Sequence, residues 1–298
     1  MEILDGKGLS AKIKDELKNE MDAYIKTPIL AVITIGDDEA SKVYVNNKKK
    51  ACEYVGMSFM HFDYVNDVNE KVVIKKINEL NKDKNVNGII LQLPIPKEYD
   101  VNKIINTIDP SKDVDGLTFV SQGKLLNNSE SIIPCTPKGI MEIFKYYNIY
   151  LTSKNVVIIG RSNLVSKPLL LECLNQNATV TMCHSKTKNL EDFTRHADIL
   201  VVAVGKKDLI DKSMVKNGSI IIDVGINREN GKLYGDVNPN VKDVCSYLTP
   251  VPGGVGPMTV VMLLKNTFEA YKKQNGIVNV LTLQNKKPWK FQGFYYLL

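Results

Sequence analysis

Apolar runs typical of β-strands alternate with helical patterns through most of the chain. The first series has strand patterns at 28–36, 57–65 and 87–94, with helical apolar spacing at 70–83. A segment between Asp37 and Gly56 predicts another helix, placed between the first two strands. Continuous apolar strands of this kind predict a parallel sheet covered on both faces.

A second series of four strand patterns follows a turn-rich segment at 132–139. It contains a helical stretch at 164–176, and a final helix at 257–273 carries Pro257 in its first turn. Two successive series predict an α/β fold with two α/β domains around a cleft, and we expect the last helix to pack back on the first domain. The four strand patterns lie at 155–160, 178–185, 198–205 and 219–225.

The segment 276–298 does not continue either series, and it contains the chain's one tryptophan, Trp289. Its aromatic residues fit a docking or dimer-contact segment. A weakly ordered terminus is an equally good interpretation, because chain ends are commonly poorly ordered.

Composition narrows the class of protein. The 298 residues, 44% hydrophobic and 24% charged, fit a globular protein with two domains of ordinary size. The N-terminus lacks a signal pattern, and no apolar run approaches the roughly 18–20 residues that span a bilayer. Five scattered cysteines favour a reducing compartment, so we predict a cytoplasmic protein without a membrane partner.

Charge and histidine content restrict the chemistry. The net charge of +6 suits small anionic ligands, but a general compositional bias towards lysine and asparagine is the better explanation of it. Neither a basic helix nor a stacking platform is visible, so we expect no nucleic-acid partner. The three histidines lack metal-ligand spacing, so we expect no metal and assign acid–base work to other residue types.

Ser41, Tyr44 and Lys48 form a polar stripe on the predicted helix that ends before Gly56. At 100° per residue they lie at roughly 0°, 300° and 340°, within a single arc of about 60°. A lysine on this partly apolar arc would lose water, which lowers its pKa and suits it to proton transfer. The alternative is a surface helix whose lysine reaches out to solvent.

The segment 156–168, VVIIGRSNLVSKP, predicts a strand, a tight turn and a helix start. Gly160 would form the turn, while Arg161, Ser162 and free backbone N–H groups could bind a nucleotide phosphate. An ordinary βα turn has the same pattern. Ser185 and Lys186 follow the next strand, where an acidic residue would favour NAD, so their presence favours NADP.

Three further features could belong to a site. Gln92 ends a predicted buried strand, where α/β clefts bind ligands. Asp113 and Asp115 lie in a DVDG turn, which is also a common turn sequence. The loop at 250–259, PVPGGVGPMT, is rich in proline and glycine and would allow close backbone approach to a ligand.

These segments occur together and in order, and the set resembles the bifunctional methylenetetrahydrofolate dehydrogenase/methenyltetrahydrofolate cyclohydrolase family (FolD). The resemblance runs from about residue 3 to residue 273. The motifs that carry it are SKVYVNNK, LQLP, KDVDG, PCTPKG, GRSNLVSKP, CHSKT, DVGIN, GDV and TPVPGGVGPMT.

The resemblance implies a folate-binding catalytic domain at 1–137 and 257–275 and a Rossmann-type NADP-binding domain at 138–256, with 276–298 as an atypical tail. It implies oxidation of 5,10-methylenetetrahydrofolate with NADP, NAD being the less favoured cofactor. Hydrolysis of the methenyl product to 10-formyltetrahydrofolate would follow. The family is typically a homodimer joined through its cofactor domains.

The resemblance also assigns roles to residues. The catalytic set is Lys48, Tyr44, Gln92 and Asp115, in which Lys48 performs the hydrolysis and Asp115 accepts hydrogen bonds from the pterin edge. The substrate set is Ser41, Tyr44, Asp115, Pro250, Gly254 and Thr259. The cofactor set is Gly160, Arg161, Ser162, Ser185 and Ile226.

One departure concerns Ser166, where the family usually has glycine. Its side chain would crowd the pyrophosphate turn, which leaves open an enzyme with only one activity. Two other readings are a short-chain-type dehydrogenase, because of the Tyr44-x-x-x-Lys48 spacing, and a nucleotide-binding regulator. In the short-chain family that pair follows the nucleotide fingerprint, whereas here it precedes it.

Overall fold

The structure is a computed structural model and describes residues 1–277. Two parallel sheets organise the chain, as the alternating apolar runs predict, and the α/β class with two domains is confirmed. Within residues 1–277, no helix is long and apolar enough to cross a membrane. The predictions for the tail fall on residues outside the described range, except for its first two positions.

The first sheet has three parallel strands in the order β3-β2-β4. Leu30 and Val32 of the central strand point to one face, and Ala31 and Ile33 to the other, so both faces of this strand are buried. The elements of this half are β1 (Glu2–Ile3), α1 (Gly6–Met21), β2 (Ile29–Ile35), α2 (Glu39–Val55), β3 (Ser58–Tyr64), α3 (Glu70–Lys82), β4 (Val86–Leu91), α4 (Val101–Ile105), α5 (Phe119–Leu126) and α6 (Cys135–Tyr146).

The second half begins at the strand that precedes the predicted phosphate turn. Its elements are β5 (Asn155–Ile159), α7 (Ser166–Asn175), β6 (Thr179–Cys183), α8 (Leu190–Thr194), β7 (Ile199–Val202), β8 (Ile220–Asp223), β9 (Asn227–Glu229), β10 (Lys232–Tyr234), β11 (Tyr247–Leu248) and α9 (Val255–Gln274). The six-stranded parallel sheet has the order β1-β11-β8-β7-β5-β6, and β9 and β10 form a separate antiparallel hairpin.

Strand β1 differs from the predicted domain division, which placed residues 1–137 in the first domain. Glu2 and Ile3 pair with Tyr247 and Leu248, so the N-terminus forms the edge of the second sheet. The next residue, Leu4, is fully buried. The chain therefore starts in one sheet and crosses at once to the other half.

Helix α9 packs on the first half of the chain, as predicted. Asn266 donates to the carbonyls of Val114 and Ile133 at 2.9 and 3.0 Å, and Gln274 donates to Asn87 and Ser111. The largest cluster of buried side chains contains residues of both sheets, such as Leu30 and Val156. A continuous core therefore joins the two halves.

Two local predictions were wrong. The segment 132–139 was expected to be turn-rich, but α6 begins within it, at Cys135. Pro134 and Pro137 lie at the start of this helix, where backbone N–H groups have no intrahelical acceptor, so the missing N–H of proline costs no hydrogen bond there. The strand expected at 198–205 ends at Val202. The N–H groups of Val204, Gly205 and Lys206 donate to the Asp236 carboxylate instead of a neighbouring strand.

Candidate active site

Lys48 and Gln92 form the polar centre of the site. Lys48 lies half-buried on α2, and its Nζ donates to Gln92 Oε1 at 2.6 Å. Gln92 follows β4, where its backbone N–H donates to Ile33 and its side-chain Nε2 donates to the Leu93 carbonyl at 2.7 Å. Because the amide nitrogen is held by that carbonyl, the amide oxygen faces the lysine.

Burial changes the ionisation of the two charged groups here. It lowers the pKa of Lys48, and the charge of nearby Asp115 opposes this shift in part. It raises the pKa of Asp115, which the Lys48 charge and a hydrogen bond with Cys135 oppose. The lysine therefore loses its proton more readily than a lysine in water.

A cavity of about 340 Å³ surrounds this pair and lies between the two halves of the chain. Of the residues predicted for the site, it is lined by Tyr44, Lys48, Gln92, Asp115, Ile226 and Thr259. Most other wall residues are aliphatic, among them Leu91, Leu117 and Val255. Such a cavity suits a flat, mostly apolar ligand with a few polar groups.

The predicted phosphate turn requires glycine at its first position. Gly160 has φ 131°, and a Cβ there would lie 2.6 Å from both the Ala203 carbonyl oxygen and Ser166 Oγ, so only glycine fits. Ser162 Oγ accepts from the N–H of Val165 at 3.1 Å and weakly from that of Ser166. Ser162 therefore orders the start of α7.

Exposed polar groups surround that turn. Arg161 and Ser162 are exposed after β5, and Ser185 is exposed after the neighbouring strand β6. Both strands end at the same edge of the sheet, beside the N-terminus of α7. The guanidinium and the hydroxyls fit the phosphates of a dinucleotide. The N–H groups of residues 165–167 at the start of α7 donate to Ser162 instead, so the free helix N–H groups predicted from the sequence are not found there.

Family models match most of the chain. Residues 4–115 match the catalytic domain of tetrahydrofolate dehydrogenase/cyclohydrolase, and residues 134–275 match its NAD(P)-binding domain. The chain belongs to the tetrahydrofolate dehydrogenase/cyclohydrolase family. This membership agrees with the order of motifs and excludes the short-chain-type reading.

Relatives in other organisms cover nearly the same length. "Bifunctional protein FolD" of Campylobacter hominis is 50% identical over 279 residues, which are 92% of this chain and 98% of the relative. The crystal structure of the bifunctional FolD enzyme from Campylobacter jejuni has a TM-score of 0.90 at 45% identity, covering 92% of this chain and 99% of that one. The Trypanosoma brucei FolD structure, complexed with NADP cofactor and inhibitor, has a TM-score of 0.87 at 33% identity and covers 92% and 98%.

The structure does not bring Ser41 into the cavity with its helix neighbours Tyr44 and Lys48. Ser41 lines a separate cavity of about 470 Å³, beside Thr34 and His61 of the first sheet. Its Oγ is buried and makes no hydrogen bond within the described residues. The residues of one arc on α2 therefore line two different cavities.

Two other predicted residues adjoin the cavity without lining it. Pro250 and Gly254 line a neighbouring cavity of about 520 Å³ that shares Tyr44 and Ile226 with the first. The loop at 250–257 therefore forms the wall at which the two cavities meet. Ile226 is 46% exposed, which leaves its side chain available to a ligand.

Cys135 is a site residue that the sequence reasoning missed, although it lies in the quoted PCTPKG motif. Its side chain lines the cavity, where Sγ lies 3.6 Å from the Val114 carbonyl oxygen and 3.7 Å from Asn266 Nδ2. Burial, reinforced by the Asp115 charge, raises the pKa of this thiol well above its usual range. Cys135 is therefore a neutral thiol against the Asp115 carboxylate.

Two buried carboxylates position the loops around the cofactor side. Asp236 accepts from the backbone N–H groups of residues 204–206 at 2.7–3.0 Å. Asp223 accepts from the N–H groups of Gly225, Asp236 and Val237 at 2.9–3.1 Å. The DVGIN and GDV motifs contain these residues, so the motifs could have identified them.

Ser166 is fully buried, and its Oγ has no hydrogen-bond partner within the described residues. It packs behind Gly160, where a Cβ on that glycine would lie 2.6 Å from Ser166 Oγ. The extra atoms lie in the contact between α7 and the turn and do not face the cleft. The predicted crowding would therefore not come from a side chain in the cleft. It would act through the distance between α7 and the turn at Gly160.

Proposed function

We propose that this protein oxidises 5,10-methylenetetrahydrofolate to the 5,10-methenyl form with NADP and then hydrolyses it to 10-formyltetrahydrofolate. The observation that carries the proposal is the 2.6 Å contact between Lys48 and Gln92 beside Asp115, within a cavity shared by both halves of the chain. Family membership, from matches over residues 4–115 and 134–275, agrees with both activities.

The oxidation depends mainly on position. Two nitrogens flank the one-carbon unit, and their lone pairs stabilise the cation that remains after hydride loss, so no base is needed. NADP supplies the hydride acceptor. Asp115 would accept hydrogen bonds from the pterin edge, and the Tyr44 ring would pack along it. Ile226 and the aliphatic wall would exclude water from the reacting face.

The hydrolysis requires a group that moves protons. A neutral Lys48 can accept a proton from the water that attacks the methenyl carbon, and it can return that proton to the ring nitrogen as the ring opens. The net reaction releases one proton. Because burial lowers the pKa of Lys48, its neutral form is more accessible than that of an exposed lysine. Gln92 orients the amine through its fixed amide oxygen.

The remaining assignments follow from position. We propose that Thr259, Pro250 and Gly254 contact the substrate from the loop and the start of α9, and that Gly160, Arg161, Ser162, Ser185 and Ile226 contact the cofactor. Ser41 would act indirectly, at the start of α2, where its N–H donates to Asp38 at 2.7 Å. Exposed Arg161 and Ser185 supply a cation and a hydroxyl for a 2′-phosphate, which supports NADP over NAD.

We also propose a homodimer joined through the cofactor domains, and a cytoplasmic location. The described cysteines are all free and buried, which fits a reducing compartment. We propose that the catalytic domain comprises residues 1–137 and 257–275 and that the cofactor domain comprises residues 138–256. The exception is residues 2–3, which pair with a strand of the second sheet. Light scattering during size-exclusion chromatography tests the dimer.

The deciding experiment follows methylenetetrahydrofolate oxidation by absorbance, with NADP and NAD in parallel. Reduced cofactor without accumulation of the absorbing methenyl intermediate supports both activities. Accumulated methenyl product would mean that the Lys48 step is impaired. Absence of reduced cofactor with both nucleotides would contradict the proposal and favour a hydrolase alone or a nucleotide-binding regulator.

A further inference from the structure

Asn266 of α9 joins the two segments that carry Asp115 and Cys135. Its side chain is fully buried, and its Nδ2 donates to the Val114 carbonyl at 2.9 Å and to the Ile133 carbonyl at 3.0 Å. The first carbonyl belongs to the peptide group that leads into Asp115, and the second lies two residues before Cys135. The hydrogens of one amide group therefore bridge the two segments behind the cavity wall.

Lys138 of α6 fixes the direction in which this amide faces. Its Nζ donates to Asn266 Oδ1 at 2.7 Å and to Glu269 Oε2 at 2.7 Å. An ammonium group can only donate, so the amide oxygen faces Lys138 and the amide nitrogen faces the two carbonyls. The Lys138 side chain is 14% exposed and that of Glu269 is 43% exposed. A chain of polar contacts therefore runs from the surface to the back of the cavity wall.

The turn that carries Asp115 is closely packed around this contact. A Cβ on Gly116 would lie 2.7 Å from the Ile132 carbonyl oxygen, and a Cβ on Gly88 would lie 2.8 Å from both methyl carbons of Val114. An interior packed at this density transmits small displacements to its neighbours. A change in the amide contact would therefore move the turn and, with it, the Asp115 carboxylate.

The two sides of this turn have different anchors. On the far side, the buried Asp113 carboxylate accepts from the backbone N–H groups of Leu117 and Thr118 at 3.1 and 2.8 Å. On the near side, the carbonyl of Val114 accepts from Asn266 at 2.9 Å. Asp113 therefore holds the residues that follow the turn, and Asn266 holds the peptide group directly before Asp115.

Given the proposed function, we propose that Asn266 is a positioning residue for the folate site and that Lys138 orients it. Asn266 lies behind the cavity wall and does not line the cavity. It acts through the segments of Val114 and Cys135, which set where the Asp115 carboxylate meets the pterin edge. A displaced carboxylate forms poorer hydrogen bonds with the pterin, so the substrate binds less tightly. The cofactor loops have separate anchors in the other half of the chain and are not displaced.

The test compares Asn266→Asp and Lys138→Met with the unchanged protein. The first change keeps the shape of the side chain but places an oxygen, which cannot donate when ionised, against the Val114 and Ile133 carbonyls. We expect KM for methylenetetrahydrofolate to rise roughly ten-fold and KM for NADP to change by less than about two-fold. Lys138→Met keeps the amide and removes its orienting donor, so it should raise the folate KM by roughly three-fold.

Two control variants separate positioning from a general loss of stability. Glu269→Gln changes the outer partner of Lys138 and leaves the contact between Lys138 and Asn266, so both KM values should stay unchanged. Thr267→Val changes the next residue of α9, which is equally buried and donates to Leu263 within its own helix. Any shift of its denaturant midpoint should leave both KM values unchanged.

Failure of this inference and of the proposed function can be distinguished. An unchanged folate KM in Asn266→Asp, an equal rise in both KM values, or a fall in kcat alone would overturn the inference while the activity stands. If that variant does not fold, Lys138→Met decides by the same criteria. If the unchanged protein turns over no methylenetetrahydrofolate, the proposed function is wrong. Calorimetric binding of this folate to the unchanged protein and to Lys138→Met then decides the inference, because weaker binding by the variant supports it, whereas equal affinities or no binding overturn it.

Discussion

Single residues decide the chemistry of this site, and Lys48 is the clearest case. Its stripe on α2 suggested acid–base work, but a solvent-exposed lysine would show the same sequence pattern. The contact with Gln92 Oε1 and the cavity around it separate the two interpretations. A lysine whose amine is buried, held by one amide and close to one carboxylate is suited to proton transfer.

Replacing Lys48 with methionine should abolish hydrolysis and spare much of the oxidation. Loss of a positioned acid–base group lowers the rate by about 10²–10⁴-fold, whereas hydride loss needs no base. An absorbance assay of methylenetetrahydrofolate oxidation would show the methenyl product accumulating as NADP is reduced. Lys49→Met, which alters an exposed lysine on the next position of α2, is the control. Equal loss of both activities in Lys48→Met would contradict the role given to this lysine.

The lowered pKa of Lys48 also predicts a dependence of stability on pH. Between the lowered folded pKa and about 10.4, the unfolded chain binds more protons than the folded one, so the free energy of unfolding rises with pH. The gain is complete above the unfolded pKa and is lost as pH falls through the folded one. Urea unfolding at pH 7 and pH 9 should show a smaller rise for Lys48→Met than for the unchanged protein.

Replacing Ser166 with an apolar residue should raise the stability of the protein, whereas replacing a hydrogen-bonded polar residue in a core usually lowers it. Its hydroxyl is buried without a partner, so Ser166→Ala should stabilise the protein by about 1 kcal/mol. Ser121→Ala is the matched change, because Ser121 Oγ is buried but accepts from Thr118 Oγ1 at 3.0 Å, and it should destabilise. Denaturant midpoints measure both, and a loss of stability in Ser166→Ala would show that its hydroxyl has a partner.

At the scale of elements, strands end where a side chain takes over the backbone hydrogen bonds. The apolar run of β7 extends to Val204 in the sequence, but the N–H groups of residues 204–206 donate to the Asp236 carboxylate. The loop that they form lies at the carboxyl end of β7. At the start of α2 the Asp38 side chain likewise accepts from the backbone N–H of Ser41. Before α7, Ser162 Oγ accepts from the N–H of Val165. These local contacts place the loops that border the cleft.

Asp236→Asn should therefore weaken cofactor binding more than hydrolysis. Asparagine has a single acceptor oxygen in place of the two that receive the three N–H groups, so the loop at 204–206 loses its anchor. We expect KM for NADP to rise by roughly ten-fold, corresponding to about 1.4 kcal/mol, while hydrolysis of added methenyl substrate changes little. Asp208→Asn, an exposed neighbour, is the control. An unchanged KM would mean that the loop does not position the cofactor.

At the scale of the whole molecule, the two sheets share one buried core, and the chain crosses between them at its start and again near its end. Strand β1 adds an edge to the second sheet, and Leu4 follows it into the core. Helix α9 continues from the cofactor side onto the first half. This arrangement couples the two halves and supports the cleft between them.

Leu4→Ala should lower the stability of the whole protein by about 2–5 kcal/mol, because it removes a fully buried side chain at the junction. Ile3→Ala, at a neighbouring side chain that is 39% exposed, should cost much less. Denaturant unfolding followed by fluorescence and by circular dichroism would compare the midpoints. If the two probes give coincident midpoints for Leu4→Ala, the halves unfold together; separate transitions would contradict the shared core.

The sequence by itself determined the elements that carry the site. Apolar runs identified the main strands, and the ordered motifs identified the family, because each depends on residues close together in the chain. The alternation of strand and helix also sufficed for the α/β class. Residues such as Gly160 could be assigned locally, since a tight turn with positive φ leaves glycine as the residue that fits.

The tertiary structure decided what depends on residues far apart in the chain. Lys48 and Gln92 are 44 positions apart, and their contact requires α2 to lie across the end of β4. A helical wheel gives the angle between Ser41 and Lys48 but not how the helix crosses its sheet, so it could not show that they face different cavities. The pairing of β1 with β11 joins residues more than two hundred positions apart, and no local pattern encodes it.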